Sequence, residues 1–218
     1  MDIRDILVKL LLDKPFYGYV AASLAPVADP DISTMRISAF PSRKLMYNPA
    51  WFSKLPDKLK TGAVLHQLLH FVFMHPYRRG TRDKVLWAIA SDIAVNQFIS
   101  KNTLPEEAVT LEKIARELGR NLSEQKSAEF YYDEISKHAD TFTMGQSEQD
   151  VFIVFESGKQ LKSEKLSEEP MPEMNMQSLK SRMANTIEEA ASEGEVPAEA
   201  KPIIDDIYRD VKINWRNV

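Results

Sequence analysis

Val64-Leu65-His66-Gln67-Leu68-Leu69-His70-Phe71-Val72-Phe73-Met74-His75-Pro76-Tyr77-Arg78-Arg79 holds three of the four histidines of a 218-residue chain. From Ala63 to Met74 nearly every residue except His66, Gln67 and His70 is apolar, with no polar face. A helix that is apolar all round is a buried helix. Pro56-Asp57-Lys58-Leu59 reads as its entry and Pro76 as its stop, so the predicted helix runs to about Met74. Its three polar side chains then need interior partners, because an unsatisfied buried polar group costs a few kcal/mol.

His66 and His70 stand at i and i+4, which puts them on one face with backbones about 6 Å apart along the axis. Two imidazoles so placed can converge on one metal ion. The spacing is that of the zinc-peptidase signature HExxH, with Gln67 where the general-base glutamate would stand. A catalytic zinc site uses three protein side chains and leaves one position open. Asp92, on the next apolar helix, is the expected third ligand, and His75 is the alternative. A helix continued from residue 70 to 75 turns the side chain by about 140°, so His75 would need the break at Pro76 to bring it round. Asn96 lies one turn beyond Asp92 and, with Arg78, is a candidate for orienting a ligand. The competing reading is a metal-free core helix whose histidines are satisfied by hydrogen bonds, with Asp92 paired to Arg78, Arg79 or Arg82. Those arginines otherwise form a solvated turn or clamp a substrate carboxylate. Trp87, Tyr131 and Tyr132 read as core aromatics.

Composition narrows the chemistry. With no cysteine there is no disulfide, thiolate ligand or thiol nucleophile, so His, Asp or Glu must hold any metal. A net charge of -4 gives no basic footprint for nucleic acid. Ile6 to Leu12 resembles a signal-peptide core but is interrupted by Lys9 and flanked by Asp5, Asp13 and Lys14. Pro15 to Ala28 is uncharged but short and holds two prolines, so no membrane span is expected and the chain reads as cytoplasmic.

Taken in order, residues 3–12 carry apolar positions at helical spacing, and a short helix is expected over Val20 to Leu24. Thr34 to Phe40 alternates as a strand, Pro41-Ser42 turns, and Lys44 to Asn48 returns as a hairpin partner ended by Asn48-Pro49. Helices are predicted over Lys84 to Ser100, Leu111 to Leu118 and Ser127 to Lys137. Val151 to Phe155 is a short strand, and Glu156 to Glu173 reads as a solvated linker. Met176 to Ala191 and Glu199 to Asn214 look helical. The expected architecture is α+β, mostly α, in a single domain over 1–218, with a flexible insertion at 139–175, C-terminal helices over 176–218 and a small β-hairpin or sheet.

Several segments together resemble a known family. Tyr47-Asn48-Pro49 precedes the key helix; His66-x-x-x-His70 is followed by His75 and Arg78, then by Trp87-x-x-Ala90-x-Asp92-x-x-x-Asn96. Ala128-Glu129 with Tyr131 and Tyr132, and Trp215-Arg216, come later. In these features the chain resembles the bacterial and phage family of metallopeptidase domains that commonly precede a von Willebrand factor A-like domain. The resemblance implies a zincin-like fold around a buried HxxxH helix, Zn2+ held by the two helix histidines and a downstream acid, a peptide or protein substrate, and an AAA ATPase partner of the MoxR type. Two departures stand out: Gln67 replaces the HExxH glutamate, and the chain stops just after Trp215, where the von Willebrand A-like domain would begin.

A carboxamide keeps the shape of a carboxylate but cannot accept the proton, and loss of a general base costs about 10²- to 10⁴-fold. Gln67 therefore belongs to a pseudoenzyme, or replaces a glutamate by design, or leaves the work to another carboxylate such as Glu129. The expected function is a zinc-binding, metallopeptidase-like domain with impaired hydrolysis. The alternative is a non-catalytic helical interaction module that partners a MoxR-type ATPase.

Overall fold

The computed structural model describes residues 1–38, 42–138, 142–146, 150–155, 160–164, 175–211 and 213. In chain order its first elements are α1 (Ile3–Asp13), α2 (Pro15–Ala22), β1 (Ala25–Ala28), β2 (Met35–Ser38), β3 (Lys44–Tyr47), α3 (Pro49–Lys54), α4 (Asp57–Val72), α5 (His75–Arg78) and α6 (Lys84–Asn96). After a 3-10 turn over Lys101–Thr103 come α7 (Leu111–Glu117), α8 (Ala128–Ser136), β4 (Phe142–Gln146), β5 (Asp150–Phe155), β6 (Gln160–Glu164), α9 (Met176–Glu193) and α10 (Lys201–Ile207). The chain divides into two compact units, Met1–Phe73 with Ser167–Val218, and Met74–Leu166.

In the first unit α1 opens with a capping box, Asp2 and Asp5 each accepting from the other's backbone N–H. It buries Ile3, Ile6 and Leu10. The second helix begins at Pro15, five residues before the predicted Val20. A proline at the first helical position loses no hydrogen bond, so the residue that reads as a breaker is a starter here. The hairpin is present, with β2 antiparallel to β3 from Met35 opposite Tyr47 to Ser38 opposite Lys44. It gains a third, unexpected strand, β1, parallel to β3 in the order β1-β3-β2. Pro26 argues against a strand at that point, but an edge strand tolerates it. Asn48-Pro49 does not merely end the hairpin: the Asn48 side chain accepts from Trp51 N at 3.1 Å and caps α3.

The helix α4 is buried on all sides, from Val64 through Val72. Tyr208, 1% exposed, donates from its hydroxyl to the carbonyl of Val72 at 2.8 Å. That carbonyl lies in the last turn of α4, where no helical donor remains. The predicted C-terminal helix over Glu199 to Asn214 is shorter, Lys201–Ile207; residues 212 and 214, with Trp215 and Arg216, lie outside the described residues.

In the second unit α6 packs against α8, and Trp87, Ile89, Ile93, Val109, Ile114, Tyr131 and Ile135 share one apolar cluster. The helix ends at Asn96, four residues before the predicted Ser100, and tightens as Phe98 N and Ile99 N donate three residues back. The strand read at Val151 to Phe155 is β5, central in the antiparallel order β4-β5-β6. The expected linker from Glu156 to Glu173 holds β6, where buried Leu161 and Ser163 alternate with exposed Gln160 and half-buried Lys162. Lys and Glu content hides that alternation. The rest of the segment lies outside the described residues. Among the described residues no helix is long and apolar enough to cross a membrane.

Gly18 marks the closest approach of α2 to α1. A Cβ there would meet the backbone of Leu11, lying 2.6 Å from its nitrogen, with Leu10 C at 3.0 Å. Backbone cannot yield as a side chain does, so Gly18→Ala is expected to destabilise the fold by about 1–3 kcal/mol. Urea unfolding of the two proteins side by side measures this, and an unchanged midpoint would refute the close packing.

Candidate metal centre

The candidate ligands stand on two helices, each largely buried. His66 and His70 lie one turn apart on α4, and their Nε2 atoms approach to 2.9 Å with ring centroids 4.5 Å apart. Asp92 stands on α6, 3% exposed. One ligand atom from each of His66, His70 and Asp92 lies within 4.8 Å of the others, and all three residues are buried. The sequence names the same three residues as candidate ligands, and what the structure adds is their grouping.

The donor set suits a divalent metal. Two ligand atoms on one tetrahedral zinc ion stand about 3.3 Å apart, so the imidazoles need to open by only a few tenths of an ångström. Without an ion, one imidazole must donate and the other accept across that contact, since a neutral ring offers one N–H and one lone pair. Burial pushes the His70 imidazole down from 6.5 to about 3, so it stays neutral and keeps a lone pair available at neutral pH. The protein has no thiol to compete for a soft metal. Gln67, 6% exposed, follows His66 directly on α4, the position of the glutamate in HExxH.

The remaining sequence candidates are distinguished by their contacts. His75 is fully buried but is not in the His66, His70 and Asp92 group. A left-handed Met74, φ 53° and ψ 30°, ends the run of α4 and starts α5 with His75, so the helix is not simply continued. Trp87 Nε1 then donates to the His75 carbonyl at 3.1 Å, and the two rings meet edge to face at 6.0 Å. Asn96 donates to the carbonyl of Val109 at 2.7 Å, fixing α6 to the segment before α7.

Arg78 forms a two-pronged pair with Glu129, Nε to Oε1 at 3.1 Å and Nη2 to Oε2. Glu129, the other carboxylate considered as a base, is thereby committed to a guanidinium. Arg79 and Arg82 donate to backbone carbonyls of their own turn, so the turn is built rather than merely solvated. The guanidinium of Arg82 also sits over the rings of Trp87 and Tyr132, at 5.3 and 5.6 Å. Tyr132 accepts from Asp83 N at 3.0 Å. Pairing between residues 51 apart leaves no local trace in a sequence, which is why this lattice around α5 is not foreseeable from it.

Comparison with known proteins agrees with this geometry. The chain matches, over residues 3–218, the model of a family described as "Putative metallopeptidase domain", and it belongs to that family. An uncharacterized protein of Thermotoga maritima is 28% identical over 102 residues, which cover 44% of this chain and 25% of that protein. The chain thus spans about a quarter of the length of that curated relative. No solved structure matches.

The neutral His70 has a measurable consequence in metal-free protein. Its folded pKa of about 3 lies below the unfolded 6.5, so between those values the unfolded chain binds a proton that the folded chain does not. Stability is complete above pH 6.5 and is lost as pH falls toward 3, with a slope of up to about 1.4 kcal/mol per pH unit. Urea midpoints of chelator-treated protein at pH 7.5, 6 and 5 should fall in that order, and His70→Gln should flatten the trend. A pH-independent midpoint would rule out a neutral buried imidazole.

Proposed function

We propose that this member of the metallopeptidase family is a metal-binding, peptidase-type domain in which His66, His70 and Asp92 hold one zinc-class divalent ion and Gln67 leaves hydrolysis impaired. The observation that carries the reading is the convergence of three buried ligand atoms within 4.8 Å of one another. Two imidazoles and a carboxylate make the three-ligand set of a catalytic zinc site, with a position left for water or substrate. An ion bound there would act as a Lewis acid and raise the acidity of water at the site.

The chain's own residues limit the chemistry available beside that ion. Gln67 can donate from its amide N–H or accept at its carbonyl, so it can hold a water molecule or a peptide carbonyl. It has no basic lone pair to receive a proton at neutral pH, and so it cannot perform the transfer that hydrolysis of an amide demands. Glu129 is held by Arg78. The domain therefore keeps the binding half of peptidase chemistry and lacks the proton-transfer half. A polypeptide is the ligand this reading implies.

Metal analysis tests the binding half. Protein dialysed against zinc and then buffer should retain one ion per chain and melt at a higher temperature than chelated protein, since a ligand bound only by the native state stabilises it. His66→Ala or Asp92→Asn should abolish both effects. A chelator-insensitive melting temperature would leave the helical interaction module as the surviving reading.

The catalytic half is tested separately. Gln67→Glu, zinc-loaded, should cleave an unstructured peptide such as casein about 10²- to 10⁴-fold faster than the Gln67 protein. Equal rates in both forms, abolished by chelator, would show that another group supplies the base.

A further inference from the structure

The last turn of α4 carries a carbonyl that the helix cannot satisfy from within. In an uninterrupted helix Val72 O accepts from the N–H of residue 76, which here is Pro76 and has none. Val72 is buried, so the missing donor has to come from the protein. The Tyr208 hydroxyl supplies it at 2.8 Å, from 136 residues along the chain. Both residues lie in the unit formed by Met1–Phe73 and Ser167–Val218.

Tyr208 is held so that it can do this. Helix α10 buries Ile203, Ile204 and Ile207, and Tyr208 follows Ile204 by four residues, on the same face. Its own N–H donates to Ile204 O at 2.9 Å and its carbonyl accepts from Val211 N at 2.9 Å, which fixes the backbone under the ring. A phenylalanine would fill the same space without a hydroxyl, which costs free energy to bury unless it is bonded. Packing accounts for the ring, and the Val72 carbonyl accounts for the hydroxyl proton.

His70 stands two residues before Val72 in that same turn, with its Nε2 2.9 Å from Nε2 of His66. Helices open from their ends, so a loosened Val72 displaces His70 before it displaces His66. We propose that Tyr208 is a positioning residue of the metal centre: through Val72 O its hydroxyl sets His70 against His66, and the affinity for a divalent ion depends on that bond. This inference rests on the reading of the two histidines as ligands. Coupling of this kind is reciprocal, so an ion held by the histidines also tightens α10.

The test titrates the full chain with cobalt(II), reading its d–d absorption and its affinity in competition with a chromophoric chelator, and measures urea midpoints of the metal-free protein alongside. Y208F keeps the ring and removes the hydroxyl, whereas I204V trims the same helix and keeps it. Y208F should bind cobalt about tenfold more weakly, with an altered d–d band, as substitution of groups that orient metal ligands does. I204V should lower the urea midpoint and leave affinity and spectrum unchanged. Equal affinity and spectra in wild type and Y208F, or an equal loss in I204V, would make Tyr208 a packing residue and overturn the proposal. Should Y208F fail to fold, hydrogen exchange of the unaltered protein decides: zinc should slow the α10 amides by a larger factor than those of α1, and equal slowing would overturn the proposal. Wild-type protein that takes up no cobalt would sink the proposed function and this inference together, whereas binding that ignores Y208F would sink this inference alone.

Discussion

Burial of α4 with two imidazoles and a carboxamide inside it is the constraint on which the rest depends. An all-apolar helix of this length would be a simple core element, stabilised by area removed from water at about 25 cal/mol per Å². Polar side chains in its middle reverse part of that gain unless each is satisfied. The histidines meet part of the demand themselves through the 2.9 Å contact between their Nε2 atoms. That contact uses one proton for two lone pairs, and an ion would use both lone pairs at once. A core that tolerates such an arrangement is one in which the polar groups are kept for something other than packing.

The same constraint explains why both ends of α4 are tied down. Lys60, nearly buried at its start, donates to Asp57 Oδ1 at 3.1 Å and lies over the Phe52 ring. Tyr208 receives the far end by donating to Val72 O. Two imidazoles can share a ligand only if the helix holds their separation to a fraction of an ångström, and a fraying last turn would move His70 first. In the second unit the lattice of Arg78, Glu129, Arg82, Trp87 and Tyr132 does the same for α5, a single turn too short to persist without tertiary support.

The histidine helix and the grouping of His66, His70 and Asp92 are legible in the sequence because their signals are local or periodic. His66 and His70 are one turn apart, and Asp92 sits in the neighbouring run whose apolar period continues through an acid. The hairpin is legible through alternation at Met35 and Ile37. Illegible are the features that depend on partners far along the chain or on a residue acting against its usual tendency. Pro15 starts a helix where a break is the usual reading, Pro26 sits in an edge strand, and Asn48 caps rather than only terminates. In β6 the burial of Leu161 and Ser163 is imposed by packing against α6, which outweighs a Lys- and Glu-rich composition.

Position 67 joins the stability argument to the functional one. At 6% exposure a glutamate there would have to be ionised to act as a base, and burial disfavours the ionised form of a carboxyl group. Beside a divalent cation that cost is offset; without one it is not. A glutamine of nearly the same shape removes the penalty in both states and leaves the two histidines and Asp92 in place. On the proposed function, Gln67 would trade proton transfer for a helix that is stable with or without metal.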